Sequence, residues 1–181
     1  MIGDVSAALL DLIERATPDL DGWVVHHSLS QGETAPVPEN KAVLALIDVA
    51  EHPHLRNRPP IEGVSGVVRA PLSLQLHYLI TYIGTHDEAQ VRLGRIVQAF
   101  HTTPILRPPD LDPALAAQVG RLAIRLMAPT ADERNQIWSA LGRPGRLALF
   151  YEVDVAPIPL LERDGAARVR EHRIDYVGGA P

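Results

Sequence analysis

The sequence predicts a single α/β domain of the α+β kind, a mixed, mostly antiparallel sheet flanked by helices. Three observations carry this. Residues 71–83 alternate, with Leu72, Leu74, Leu76, Tyr78, Ile80 and Tyr82 set against Ser73, Gln75, His77 and Thr81, the period of two of a half-buried strand. Two segments open with Thr followed three residues later by Glu, at Thr85–Glu88 and Thr130–Glu133, the reciprocal cap that starts a helix. Several strand-like runs adjoin without an intervening helix, so the sheet cannot be wholly parallel.

Taken in order, residues 3–16 form an opening helix. Val5, Leu9, Leu12 and Ile13 share one face, Asp11, Glu14 and Arg15 the other, and Pro18 ends it. Residues 22–29 read as a short strand, followed by a polar loop to residue 40. The β-branched apolar run from Ala42 to Val49, with Asp48 its one charge, is a buried strand over 41–49. Residues 51–70 have no clean period and carry Pro53, Pro59, Pro60, Gly63 and Gly66. Such a long irregular stretch is the first place to expect partner contacts.

After the strand at 71–83, Ala89, Leu93, Ile96 and Phe100 give helix 86–101 its apolar face, and Pro104, Pro108 and Pro109 begin a second irregular stretch. Residues 119–127 alternate Leu122, Ile124 and Leu126 with Arg121 and Arg125. The second capped helix runs to Leu141, with Gly142 its stop. Residues 146–156 are the last core strand, placing Leu147, Leu149, Tyr151, Val153 and Val155 on one face. That gives four or five core strands and three helices in a domain over 1–157. Beyond it, Asp164-Gly165 is a hairpin turn joining 158–163 to 166–176, a polar C-terminal arm over 158–181 too poor in apolar surface to stand alone.

At 181 residues, 46% hydrophobic and 22% charged, the chain can bury one core. A net charge of −5, no basic run and 4% aromatics speak against nucleic acid as a partner. The absence of cysteine excludes disulfides, thiolate metal sites and cysteine nucleophiles. The start Met1-Ile2-Gly3-Asp4 lacks the positive region of a secretory signal, and no apolar run is long enough for a membrane span. The expectation is a protein folded in the cytoplasm with no membrane partner.

Candidate chemistry is sparse. His52-Pro53-His54 is the one metal-like pair, with Glu51 or Asp48 the only nearby third ligand, and a solvated loop is the plainer reading. His26 and His27 point to opposite faces of a strand and cannot chelate together. His77 reads as a surface residue on the polar side of its strand. Gly63-Val64-Ser65-Gly66 lacks the spacing of a nucleophile elbow, and Gly142-Arg143-Pro144-Gly145-Arg146 has proline where a phosphate loop needs an amide donor. No catalytic set assembles, so the chain is read as a non-enzyme without metal or cofactor. Arg56, Asn57 and Arg58, in a proline-stiffened loop, suit carboxylates or carbonyls of another surface, and a solvated loop fits them as well. Arg168, Arg170 and Arg173 of the arm are further candidate partner contacts.

Several pieces, in this order and spacing, carry a resemblance. They are Ile2 to Leu10, His54-Leu55-Arg56-Asn57-Arg58-Pro59, Pro71 to Ile80, and Ala89 to Leu106 with its Phe100-His101-Thr102-Thr103-Pro104 ending. Ile137-Trp138-Ser139-Ala140-Leu141-Gly142 and Tyr151-Glu152-Val153 follow. Over roughly residues 2–160 the chain resembles the tail-terminator, or cap, proteins of extracellular contractile injection systems, those of the antifeeding prophage and the Photorhabdus virulence cassettes. The resemblance implies a phage tail-terminator-like fold and a homohexameric ring on the distal end of the inner tube and sheath. Such a ring halts their growth and helps fix particle length, with no catalytic residue. Its partners would be itself, the inner tube protein and the sheath protein. Assembly would take place in the cytoplasm before the cap becomes part of the particle. Pro59-Pro60 and the short tail depart from the family pattern and put the sheath-side contacts in doubt. Two other classes remain open from the residues alone. One is a small metal- or ligand-dependent cytosolic enzyme built on His52 and His54. The other is a monomeric assembly adaptor or chaperone.

Overall fold

The computed structural model describes residues 1–32, 36–52, 61–63, 66–68 and 72–158, with backbone alone at 61–63, 66–68 and 157–158. The elements in chain order are α1 (Ile2–Ala16), β1 (Val24–His26), β2 (Lys41–Glu51), β3 (Ile61–Gly63), β4 (Gly66–Val68), β5 (Leu72–Ile83), α2 (His86–Thr102), β6 (Ile105–Leu106), α3 (Pro113–Ala116), β7 (Leu122–Met127), α4 (Ala131–Ala140) and β8 (Ala148–Ile158). Six strands form one sheet in the order β1-β2-β5-β8-β7-β6, and β3 and β4 pair separately. Among the described strands only β1 and β2 run parallel; every other neighbouring pair is antiparallel.

The chain builds this sheet by crossing both of its faces. From β5, α2 carries it to the far edge at β6, and β7 then lies inside that edge. From β7, α4 brings the chain back and β8 slots between β5 and β7. The strand in the heart of the sheet is therefore the last one described. The mixed sheet flanked by helices is as expected, with three short strands, β3, β4 and β6, beyond those the sequence shows. The first strand is shorter than 22–29, ending at His26. Residues 51–70, read as irregular, include the end of β2 and the β3–β4 pair. The second irregular stretch contains β6, a 3₁₀ turn at Pro108–Asp110 and α3.

One face of the sheet is sealed by α1, α2 and α3. Val5, Leu9, Leu12 and Ile13 of α1 and Leu93, Ile96 and Phe100 of α2 close over Leu76, Tyr78 and Ile80 of β5 and Tyr151 and Val153 of β8. Each fully buried aliphatic side chain here contributes about 1.5–3 kcal/mol. Polar atoms in this layer have partners. The Ser6 hydroxyl lies 2.9 Å from the Tyr78 hydroxyl, and Trp23 Nε1 donates to Thr17 Oγ1 at 3.0 Å. Burial pushes the Tyr78 phenol up to about 12, against a smaller opposite pull from Ser6.

The other face holds a smaller core. Leu29, Val43, Ala45, Leu79 and Phe150 close around Trp138 of α4. This corrects the half-buried reading of residues 71–83: β5 is buried on both faces toward its end, with Leu79 and Thr81 at 0% exposure. Thr81 is accommodated by donating to the Leu147 carbonyl at 2.8 Å. Two residues expected to face inward do not. Leu126 is 56% and Leu147 43% exposed.

Both capping boxes form as expected, Thr85 with Glu88 and Thr130 with Glu133. Gly142 ends α4 with φ +67°, where a side chain would be strained. Its N–H donates to Ser139 O and that of Arg143 to Trp138 O, the paired bonds of a Schellman stop.

A candidate docking face on the second side of the sheet

Alternation decides which side chains reach the second face. Leu79 and Phe150 point into the core under Trp138, so His77 and Gln75 of β5 and Glu152 and Asp154 of β8 share that face. A register shift between Leu46 and Asp48 in β2 brings Asp48 opposite His77. His77 lies opposite Glu152, and Glu152 opposite Arg125 of β7. Four strands thus carry one straight row, Asp48–His77–Glu152–Arg125.

Its contacts are continuous. His77 Nδ1 lies 3.1 Å from Asp48 Oδ2, and His77 Nε2 lies 3.3 Å from Glu152 Oε2. Arg125 donates from Nε to Glu152 Oε1 at 3.1 Å and through a second, closer contact to the same oxygen, while reaching Asp154 Oδ2 at 2.8 Å. Both imidazole nitrogens face acceptor-only carboxylates, so both contacts are hydrogen bonds only when the ring holds two protons. Burial pushes the Glu152 carboxyl up, but hydrogen bonds from Arg125 and His77 outweigh it and hold the group below the ordinary glutamate range. Hydrogen bonding to Glu152 likewise raises the already high pKa of Arg125. Opposite charges directly across strands contribute roughly 0.2–1 kcal/mol per pair, so the row stitches the sheet together. His77 is thus a half-buried bridge, not the free surface residue its strand position suggested.

His52 closes the row's far side, its Nε2 3.7 Å from Asp154 Oδ1 and beyond direct hydrogen-bonding reach. Of the metal-like pair His52 and His54, His54 lies outside the described residues, and Asp48, one of the possible third ligands, is engaged by His77. Among the described residues, no group of three histidines or carboxylates is placed to hold a metal. His27 falls beyond the end of β1, so the strand argument applies to His26 alone. The expected partner contacts Arg56, Asn57, Arg58, Arg168, Arg170 and Arg173 all lie outside the described residues. So do residues 159–181, and with them the hairpin turn.

Beside the row, between α4 and the sheet, lies an open groove of about 780 Å³. Phe150, Met127 and Ile137 supply apolar surface, and Asp48, Glu133 and Gln136 stand among its polar groups. The sequence reading missed both row and groove. The only signal was a polar residue recurring at matched positions in otherwise apolar strands. It could be recognised only after the pairing register was known.

Comparison with known proteins supplies context. The family model described as the Pvc16 N-terminal domain matches residues 4–171. The fold is similar to the sheath/tube terminator of an extracellular contractile injection system, PVC, in its extended state, with TM-score 0.60 and 20% identity, over 99% of this chain and 64% of that one. It is similar to the same degree, TM-score 0.60 and 20% identity, to the tube-terminating cap of the anti-feeding prophage, over 97% of this chain and 62% of that one. The chain therefore spans less than two thirds of either terminator. No curated protein sequence matches it.

Proposed function

The chain belongs to the Pvc16 N-terminal domain family, and we propose that it is a structural cap of a phage-tail-like contractile injection system. In this reading six copies form a ring on the distal end of the inner tube and sheath, end their growth and help fix particle length. Its partners are other copies of itself, the tube protein and the sheath protein. It assembles in the cytoplasm and then becomes part of the particle.

The observation that carries the reading is the fold, shared from end to end of the described chain with two terminators. The second face of the sheet supports it from below. Its ionisable residues pair with one another across strands instead of converging on one point where a substrate atom could sit, which suits a rigid plate and not a reaction centre. Among the described residues no helix is long and apolar enough to cross a membrane.

The test is polymerisation of purified tube and sheath subunits on a baseplate, with and without this protein, with lengths measured by electron microscopy. The reading predicts added protein at the distal ends and a shorter, narrower length distribution. Unchanged lengths with bare ends would overturn it.

A further inference from the structure

The groove and the opposite flank of α4 are chemically complementary. On the groove side, Glu133, Gln136, Ile137 and Ala140 line one stripe of the helix. On the other side, Arg134, Asn135 and Trp138 line a second hollow together with Arg146 and Leu147 of the loop that follows α4. At 100° per residue these stripes are well over a quarter-turn apart.

The groove calls for an occupant that is apolar and cationic. Its floor is aliphatic and aromatic. Asp48 is 63% exposed and uses only Oδ2 on His77, and the Glu133 carboxylate uses only Oε2 in its cap. Each has an oxygen left for an incoming guanidinium. The opposite flank offers that chemistry. Leu147 is 43% exposed, and Arg146 is exposed with no hydrogen bond or ion pair among the described residues. The loop that presents them is held at its base, where Arg143 Nε donates to Leu29 O at 2.6 Å and the Schellman bonds fix the turn. Little ordering cost is left for binding.

We infer that the two flanks of α4 are the two halves of a head-to-tail contact between copies of this chain, with Arg146 and Leu147 of one copy entering the groove of the next. Groove against groove, the two-fold alternative, would set Asp48 and Glu133 against their own like charges. Complementary patches on opposite flanks give a heterologous contact, which closes into a ring when the rotation allows. The inference rests on the self-association in the proposed function and not on tube binding.

The test exploits the absence of cysteine from the chain. Full-length Gln136→Cys and Gly145→Cys proteins, which leave Arg146 and Leu147 in place, are mixed under mild oxidation, which captures even weak encounters, and the mixed disulfide dimer is quantified against a Val91→Cys and Gly145→Cys pair. At least a tenfold excess of the 136–145 dimer is expected. A yield no better than the control pair would overturn the inference. In parallel, Arg146→Glu and Gln136→Arg, both at exposed positions, are assayed by the same capture using a Leu147→Cys and Ala140→Cys pair. Each alone is expected to reduce capture at least fivefold, and the two together to restore it. Loss without restoration, with both variants folded by circular dichroism, would also overturn it. Capture without tube capping would sink the cap and leave this contact standing; capping without capture would do the reverse.

Discussion

The two faces of the sheet are made from the same strands, yet they are finished differently. Under α1 and α2 the surface is apolar from β2 across to β7, and its few polar atoms are paired inside the layer. Under α4 the apolar core covers only the part nearest Trp138. The rest carries a charged row and an open groove. Burying the first face is what drives folding. The second face forgoes part of that gain, holds its geometry with cross-strand ion pairs, and leaves apolar surface where a partner can cover it. The proposed cap role calls for both properties, since such a protein must fold alone and then become a piece of something larger.

Substitutions on each face sharpen this contrast. The largest effect belongs to the sealed face. Leu76→Ala, at 0% exposure, is expected to cost about 2–5 kcal/mol in urea unfolding. A loss under about 1 kcal/mol would mean that this layer is not the main core.

The next effect belongs to the charged row. Glu152→Gln leaves Arg125 and His77 with a weaker acceptor and is expected to cost about 1–3 kcal/mol at neutral pH. Because the folded carboxyl sits below its ordinary value, the unfolded chain binds more protons below about pH 4.3, and stability falls with falling pH there. The contribution of Glu152 is thus full above the unfolded value and lost as pH drops through the folded one. The gap between wild type and variant should therefore narrow through that acid window. Glu88, Glu133 and Asp19, also held low by hydrogen bonds, are common to both proteins and cancel in the comparison. A gap that stays constant with pH would contradict the ion-pair account.

A smaller effect, about 1 kcal/mol, is expected for Thr130→Ala, which removes the hydroxyl that accepts from Glu133 N. Hydrogen exchange should show the loss confined to α4, because that helix rests on the smaller core. The smallest belongs to the surface. Asp19 and Arg95 form a solvent-facing surface pair, and Asp19→Asn should leave the unfolding midpoint unchanged within error.

The sequence made the sealed face readable because helices and strands each wear their own period. Val5, Leu9, Leu12 and Ile13 needed no knowledge of their neighbours, and neither did the Thr85 and Thr130 caps. The second face depends on facts that no local pattern holds. Asp48 meets His77 only through the shift in β2, and Glu152 meets both His77 and Arg125 only because β8 inserts between β5 and β7. Leu126 and Leu147 have the right parity for burial, but parity says nothing of how far the helices over that face extend. The β3–β4 pair was hidden by the prolines and glycines around it. The arginines first singled out for partner contact lie outside the described residues, so the docking face argued here rests on different side chains.

Hydrogen exchange on the full chain, free and then assembled at tube ends, tests the division between the two faces most directly. The account predicts new protection in α4, in residues 46–50 and 127–129 around the groove, and in the loop at 143–147, with the outer surfaces of α1 and α2 unchanged. New protection on α1 and α2, with α4 and the groove exchanging as in the free protein, would contradict it.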